Sequence, residues 1–175
     1  MKIQLLILVA TFFIGAPMSV GSPSEVSEYK AKALFLGTLL KYTKFPESNK
    51  YSIAVIGKNP FHGHLKTLHG RKINNRKVTV SFFKHQPHKI DQYHIIFIAK
   101  TEKILQKQIL NNVGNNTITV ADNKWFLSSG GHINLVLKKK NLRWEVNYQA
   151  LKNKRFQISS KVLRIALNKK NATAN

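Results

Sequence analysis

Tyr93-His94-Ile95-Ile96-Phe97-Ile98-Ala99 is apolar at nearly every position. A strand with one wet face alternates apolar and polar residues, so an unbroken run predicts a strand covered on both faces, as in a parallel sheet between helices. The flanking sequence agrees. Thr101 stands where a cap is needed for a helix with Ile104, Leu105 and Ile109 on one stripe, and residues 115–120 read as the next strand. Upstream, residues 78–83 and 51–56 read as two more strands, the second stopped by Gly57. Strands and helices alternate through most of the chain. This predicts an α/β fold: a single three-layer domain with a mixed, largely parallel sheet and a C-terminal antiparallel hairpin plus helix.

The hairpin is read from Gly130-Gly131-His132-Ile133-Asn134 and Leu142-Arg143-Trp144-Glu145-Val146-Asn147. Ile133, Leu135 and Leu137 alternate with His132, Asn134 and Val136, and Leu142, Trp144 and Val146 alternate with Arg143, Glu145 and Asn147. With residues 138–141 as the turn, Asn134 lies opposite Glu145 and His132 opposite Asn147, so the apolar residues share a buried face and the polar ones form an ordered patch. Ser159 then caps a terminal helix with the stripe Val162, Leu163, Ala166 and Leu167. At the other end, Ser22-Pro23-Ser24-Glu25 is a capping box, and Val26, Tyr29, Ala33, Leu36 and Leu40 recur at helical spacing until Pro46. Asn59-Pro60 predicts a further helix start, with Phe61, Leu65 and Leu68 on one face and Gly70 closing it.

Met1-Lys2 precedes an apolar run over residues 3–14, and Ser19 and Gly21 supply small residues at the minus-three and minus-one positions. This predicts a signal peptide at 1–21, export, and a domain over 22–175. With no Cys in the chain, disulfides and thiol chemistry are excluded. Lys and Arg outnumber Asp and Glu by 29 to 7, a net charge of +22 that attracts polyanions. The cations run from Lys30 to Lys170 without a basic tail or a nucleic-acid-binding motif, and an exported protein meets little nucleic acid. An anionic lipid or cell-wall surface, or an acidic protein partner, is therefore preferred to nucleic acid.

No reactive constellation emerges. His62 and His69 would lie about 10 Å apart along a helix, too far to share an ion, His85 and His88 flank Pro87, and His94 falls in a buried strand as a hydrogen-bonded core residue. Gly57-Lys58-Asn59-Pro60 lacks the Lys-Ser/Thr of a P-loop, and helix capping explains it. A free helix N-terminus there makes Lys58 and Asn59 a candidate anion site. The seven carboxylates are Glu25, Glu28, Glu47, Asp91, Glu102, Asp122 and Glu145, and most fall at helix starts or turns. Ser159-Ser160-Lys161 is read as a cap, not a Ser-Lys dyad. No catalytic residues, metal or cofactor are expected.

One ordered set of segments carries a resemblance. Glu28-Tyr29, Lys32-Ala33, Phe35-Leu36, Lys41 and Pro46 are followed by Gly57-Lys58-Asn59-Pro60-Phe61, Gly70-Arg71-Lys72, His94-Ile95-Ile96-Phe97-Ile98, Thr119-Val120-Ala121-Asp122 and the closing hairpin and helix. In order and spacing this resembles the YfiR/HmsC family over nearly all of the mature chain. The resemblance implies a periplasmic α/β protein, often a homodimer, without known catalysis. The family's founding member binds the periplasmic sensor region of a membrane-bound diguanylate cyclase and holds it inactive; its release raises cyclic di-GMP and favours biofilm. Two departures stand out. Tyr93 occupies a place where the family commonly has a cysteine, so redox-linked control does not carry over, and Gly37, Thr38 and Phe45 stand where Tyr, Asn and Trp are common.

The function expected is therefore a periplasmic regulator that represses a membrane diguanylate cyclase or similar receptor by binding it. The alternative is an exported, basic anion- or cell-wall-binding protein without a cyclase partner. Arg143, Glu145 and Asn147 on the hairpin, with Lys32 of the family motif, are the candidate partner- or ligand-binding residues. Two readings stand side by side for Glu145: an internal partner for Arg143 or Lys32, or part of a contact surface.

Overall fold

The computed structural model describes residues 23–46, 48–101 and 103–168; the expected signal segment 1–21 and the capping Ser22 lie outside the described residues. In chain order the elements are α1 (Pro23–Lys41), β1 (Thr43–Lys44), β2 (Lys50–Ile56), a 3-10 helix (His64–Leu68), β3 (Lys72–Ile73), β4 (Arg76–Phe83) and a 3-10 turn (Ile90–Gln92). There follow β5 (Ile95–Ile98), α2 (Lys103–Asn111), β6 (Ile118–Ala121), β7 (Ile133–Lys138), β8 (Asn141–Val146), α3 (Tyr148–Leu151), β9 (Gln157–Ile158) and α4 (Ser160–Leu163).

All four residues of β5 are buried, as the unbroken apolar run predicts. Ile95 and Phe97 face a core shared with Leu36, Leu39 and Leu40 of α1. Ile96 and Ile98 face the opposite core, which contains Ile109 of α2. A helix on each face makes three layers, and removing a side chain such as Phe97 from water contributes about 2–3 kcal/mol. The main sheet runs β3-β4-β2-β5-β6-β7-β8. Strands β4, β2, β5, β6 and β7 are parallel, and β3 and β8 pair antiparallel at the two edges. The chain steps from β2 outward to β4, then returns past β2 to lay β5, β6 and β7 on the other side. In such sheets the crevice for ligands lies outside the carboxyl ends of the strands.

The hairpin has the expected register, with Asn134 paired to Glu145 and Leu135 to Trp144. Lys139 and Lys140 form its turn with φ of 50° and 64°, the left-handed pair that matches the twist of a two-residue hairpin. The ladder continues to the pair expected beyond it, Asn147 N–H donating to His132 O at 2.9 Å. The polar face, however, is not an open patch: His132 and Asn134 are buried, whereas the apolar Leu137 near the tip is 45% exposed. The outer edge of β8 is closed at one end. Leu167 N–H donates to Trp144 O at 2.9 Å, and the Asn168 amide accepts from Val146 N–H at 3.0 Å and donates to Val146 O at 2.8 Å.

Three local expectations are corrected. No regular helix starts at Asn59; left-handed His62 (φ 46°) and Gly63 (φ 88°) interrupt the backbone, and only the five-residue 3-10 helix His64–Leu68 forms. Leu65 and Leu68 are still buried, because a tighter helix eclipses positions three apart, and Phe61, ahead of the helix, is buried with them in the same core. In α2 the inward face is rotated, leaving Ile104 73% exposed while the polar Gln106 is buried. The terminal helix is a single turn, α4, capped as expected by Ser159, whose hydroxyl accepts from Lys161 N–H at 3.3 Å.

Candidate functional site

Asp122 directly follows β6, at the carboxyl end of a parallel strand, and the first half of α1 lies across it. The Tyr29 hydroxyl donates to Asp122 Oδ2 at 2.9 Å. Lys32 Nζ donates to the same oxygen at 2.5 Å and pairs with Glu28 one turn earlier on α1. Residues 28, 29 and 32 share a helix face, so one element delivers a carboxylate, a phenol and an ammonium to one point. Lys32 is 2% exposed. Taking an ammonium out of water costs several kcal/mol, which the two carboxylates and the Tyr29 ring face, 4.1 Å from Nζ, offset. Burial, with the Asp122 charge second, pushes the Tyr29 hydroxyl far above its ordinary pKa, so it remains a proton donor to Asp122.

This cluster forms one wall of a groove of about 740 Å³ between α1, the end of β6 and the hairpin β7–β8. Glu145 stands on the hairpin wall, Lys100 and Lys124 also line the groove, and Leu135 and Leu137 supply apolar surface. Glu145 accepts from Asn134 Nδ2 at 3.4 Å; Asn134 Oδ1 accepts from Asn123 N–H at 3.0 Å, and Asn123 Nδ2 donates to the buried Gln106 at 2.7 Å. A chain of amides thus connects the groove to α2. Glu28, Asp122 and Glu145 are three of the seven carboxylates of the chain, and Lys32, Lys100 and Lys124 stand in the same lining, so the groove is charged with both signs and balanced in a chain of net charge +22.

The structure brings Lys32 and Glu145 into this one groove, but Lys32 pairs with Asp122 and Glu28, and Glu145 bonds to Asn134. Arg143 is exposed on β8 opposite Val136 and outside the groove lining. Asn147 is engaged locally: its Oδ1 accepts from Ala150 N–H at 3.1 Å, capping α3, and its Nδ2 donates to Leu127 O at 2.9 Å. Lys58 and Asn59 follow β2, where Asn59 Oδ1 accepts from Phe61 N–H at 3.0 Å in a local turn; the helix N-terminus on which their anion site depended is absent. Sequence reasoning set Tyr29 on the first helical stripe and Asp122 in the family motif, and assigned neither to the site. The signal for Asp122 was its place, a scarce carboxylate immediately after a buried parallel strand.

Three histidines share another task. Nδ1 of His132, His94 and His69 accepts the backbone N–H of Thr119 at 2.9 Å, Ser52 at 3.2 Å and Val80 at 3.1 Å, respectively. An accepting Nδ1 carries no proton, so protonating His132 or His94 would break its bond. Burial, reinforced by the Lys154 charge, pushes His132 down to about 3. Burial, with Arg76 second, lowers His94 as well. Among the described residues no three His, Asp or Glu side chains are grouped so as to hold a metal, and no helix is long and apolar enough to cross a membrane.

Comparison with curated proteins yields no match. The family model described as YfiR/HmsC-like matches residues 29–167, which span α1 from Tyr29 through the groove and the hairpin to α4. The chain belongs to the YfiR/HmsC-like family.

Proposed function

We propose that this chain is a periplasmic regulator that binds the periplasmic sensor region of a membrane-bound diguanylate cyclase and holds the enzyme inactive, so limiting cyclic di-GMP and biofilm formation. The observation that carries this reading is the family match across residues 29–167. The groove agrees with a binding role: it combines charged groups of both signs, Glu145, Lys100 and Lys124 among them, with the apolar Leu135 and Leu137, which suits a partner presenting charged and apolar side chains. Glu145 and the exposed Arg143 are the hairpin residues that would meet such a partner. At the Val146 end of β8, where Asn168 already bonds both backbone groups, docking would use side chains and not strand addition.

The proposed action is by binding and not by catalysis. Asp122 is tied to Tyr29 and Lys32, and the Ser159 hydroxyl is a helix cap, so neither is poised as a base or nucleophile. Repression is then a population shift: the protein binds the inactive receptor more tightly than the active one, and any signal that weakens the complex favours activity. Since the chain has no Cys, that signal acts without a disulfide in this protein. Affinity recovery of the tagged protein from membranes should bring down a protein with a periplasmic sensor and a cyclase domain, and deletion should raise cyclic di-GMP. Unchanged cyclic di-GMP and unchanged surface attachment after deletion contradict the reading.

A further inference from the structure

At the opposite end of the sheet, where β2 and β4 begin, a second groove of about 690 Å³ lies between the end of α1, the β1–β9 pair and the β3–β4 turn. Its lining includes Lys41, Lys44 and Arg76 and, among the described residues, no carboxylate. Two rings organise these cations. Tyr42 has Lys41 Nζ 5.5 Å from its centroid and Lys161 Nζ at 6.0 Å, while the Arg76 guanidinium is 5.3 Å from the centroid of Tyr51. The aromatic faces therefore gather like charges that no acidic side chain in the groove neutralises. A second observation points the same way. Thr43, 4% exposed, lines the groove, and its hydroxyl has no hydrogen-bond partner. A buried hydroxyl left unpaired costs about 1–3 kcal/mol.

We propose that this groove binds a phosphate group, with Arg76 and Lys44 contacting its oxygens, Lys41 and Lys161 adding positive potential, and the Thr43 hydroxyl turning to donate to it. Several cations and a hydroxyl donor converging from four elements suit a multiply acceptor-bearing oxyanion better than a single carboxylate. The Asn74 side chain fixes the geometry: its Nδ2 donates to Lys41 O at 3.0 Å, fastening the β3–β4 turn to the end of α1 and offsetting the negative end of that helix. The phosphate is carried either by a soluble ester or by a phospholipid headgroup. This site is independent of the groove at Asp122, so it stands or falls separately from the regulatory reading.

Two probes distinguish the sources: phenyl phosphate followed by amide chemical shifts, and sedimentation with vesicles of phosphatidylglycerol against phosphatidylcholine. The test variant is Lys44→Gln/Arg76→Gln, and the control, with the same change in charge, is Lys66→Gln/Lys107→Gln on exposed positions elsewhere. Shifts localised at Thr43, Lys44 and Arg76, with affinity lowered about tenfold or more in the test pair and little in the control, support the site with a soluble ester as its ligand. The same contrast in vesicle sedimentation supports it with a headgroup as its ligand. Thr43→Val should weaken binding without lowering the urea midpoint, since no existing hydrogen bond is lost. Equal losses in the two pairs of variants, or no binding of either probe, overturns the proposal.

Discussion

Lys32 Nζ meets Asp122 Oδ2 at 2.5 Å, although the two residues are 90 positions apart in sequence. This pair ties α1 to the end of β6 and so holds the wall of the groove in place. Removing one member of a buried pair strands the other charge, which costs more than the pair itself contributes. Asp122→Asn should lower stability by about 3 kcal/mol, while Lys32→Met/Asp122→Asn should recover a large part of that loss. Urea denaturation of the four proteins in the cycle measures the coupling. Simple additivity of the two single changes would show that the pair does not hold the wall.

Gly131 is fixed by a different constraint. A β-carbon added there would lie 2.4 Å from the ring of Phe126, which is fully buried and has nowhere to move. Gly130 has open space but a φ of 95°, a backbone conformation that favours glycine. Gly131→Ala should therefore destabilise by about 2–3 kcal/mol through overpacking, and Gly130→Ala by about 1–2 kcal/mol through strain. Gly131→Ala/Phe126→Leu should be milder than Gly131→Ala alone. Thermal or urea unfolding compares them, and a harmless Gly131→Ala would refute the packing argument.

These positions show what the sequence makes legible. The two-residue period of the hairpin gives its register because slipping by one residue would expose Leu135 and Val146, and the apolar run of β5 gives the three layers. Local spacing fails where a nonlocal contact or an unusual backbone angle decides. Asn59-Pro60 has the signature of a helix start, but His62 and Gly63 turn left-handed two residues later. Ile104 fits the stripe of α2 yet faces water, while Gln106 turns inward because Asn123 donates to it. The partner of Lys32 was equally hidden: Glu145 shares the groove, but Asp122 comes closer through the parallel crossover.

Acid should destabilise the fold through His132. Its pKa is about 3 in the folded chain against 6.5 as a free side chain, so between these values the unfolded chain binds the extra proton. The stabilisation is complete above pH 6.5 and is lost progressively as pH falls toward 3, at a full cost on the order of 4–5 kcal/mol. His94, also lowered, adds in the same direction. His132→Gln should flatten the stability profile between pH 4 and pH 7 by about 2 kcal/mol or more. Denaturation curves across that range check this, and an unchanged slope in the variant would mean that His132 is not the titrating group.

The regulatory account rests most directly on binding. The measurement is titration of the purified protein into the periplasmic sensor region of the cyclase recovered with it from membranes, with cyclase output read in parallel on the full-length receptor in vesicles. The account predicts a saturable complex, loss of cyclic di-GMP synthesis over the same concentration range, and affinity weakened about tenfold or more by Glu145→Gln, which keeps an acceptor for Asn134 and so leaves the urea midpoint unchanged. No complex at micromolar concentrations, or a complex that leaves synthesis untouched, would contradict it.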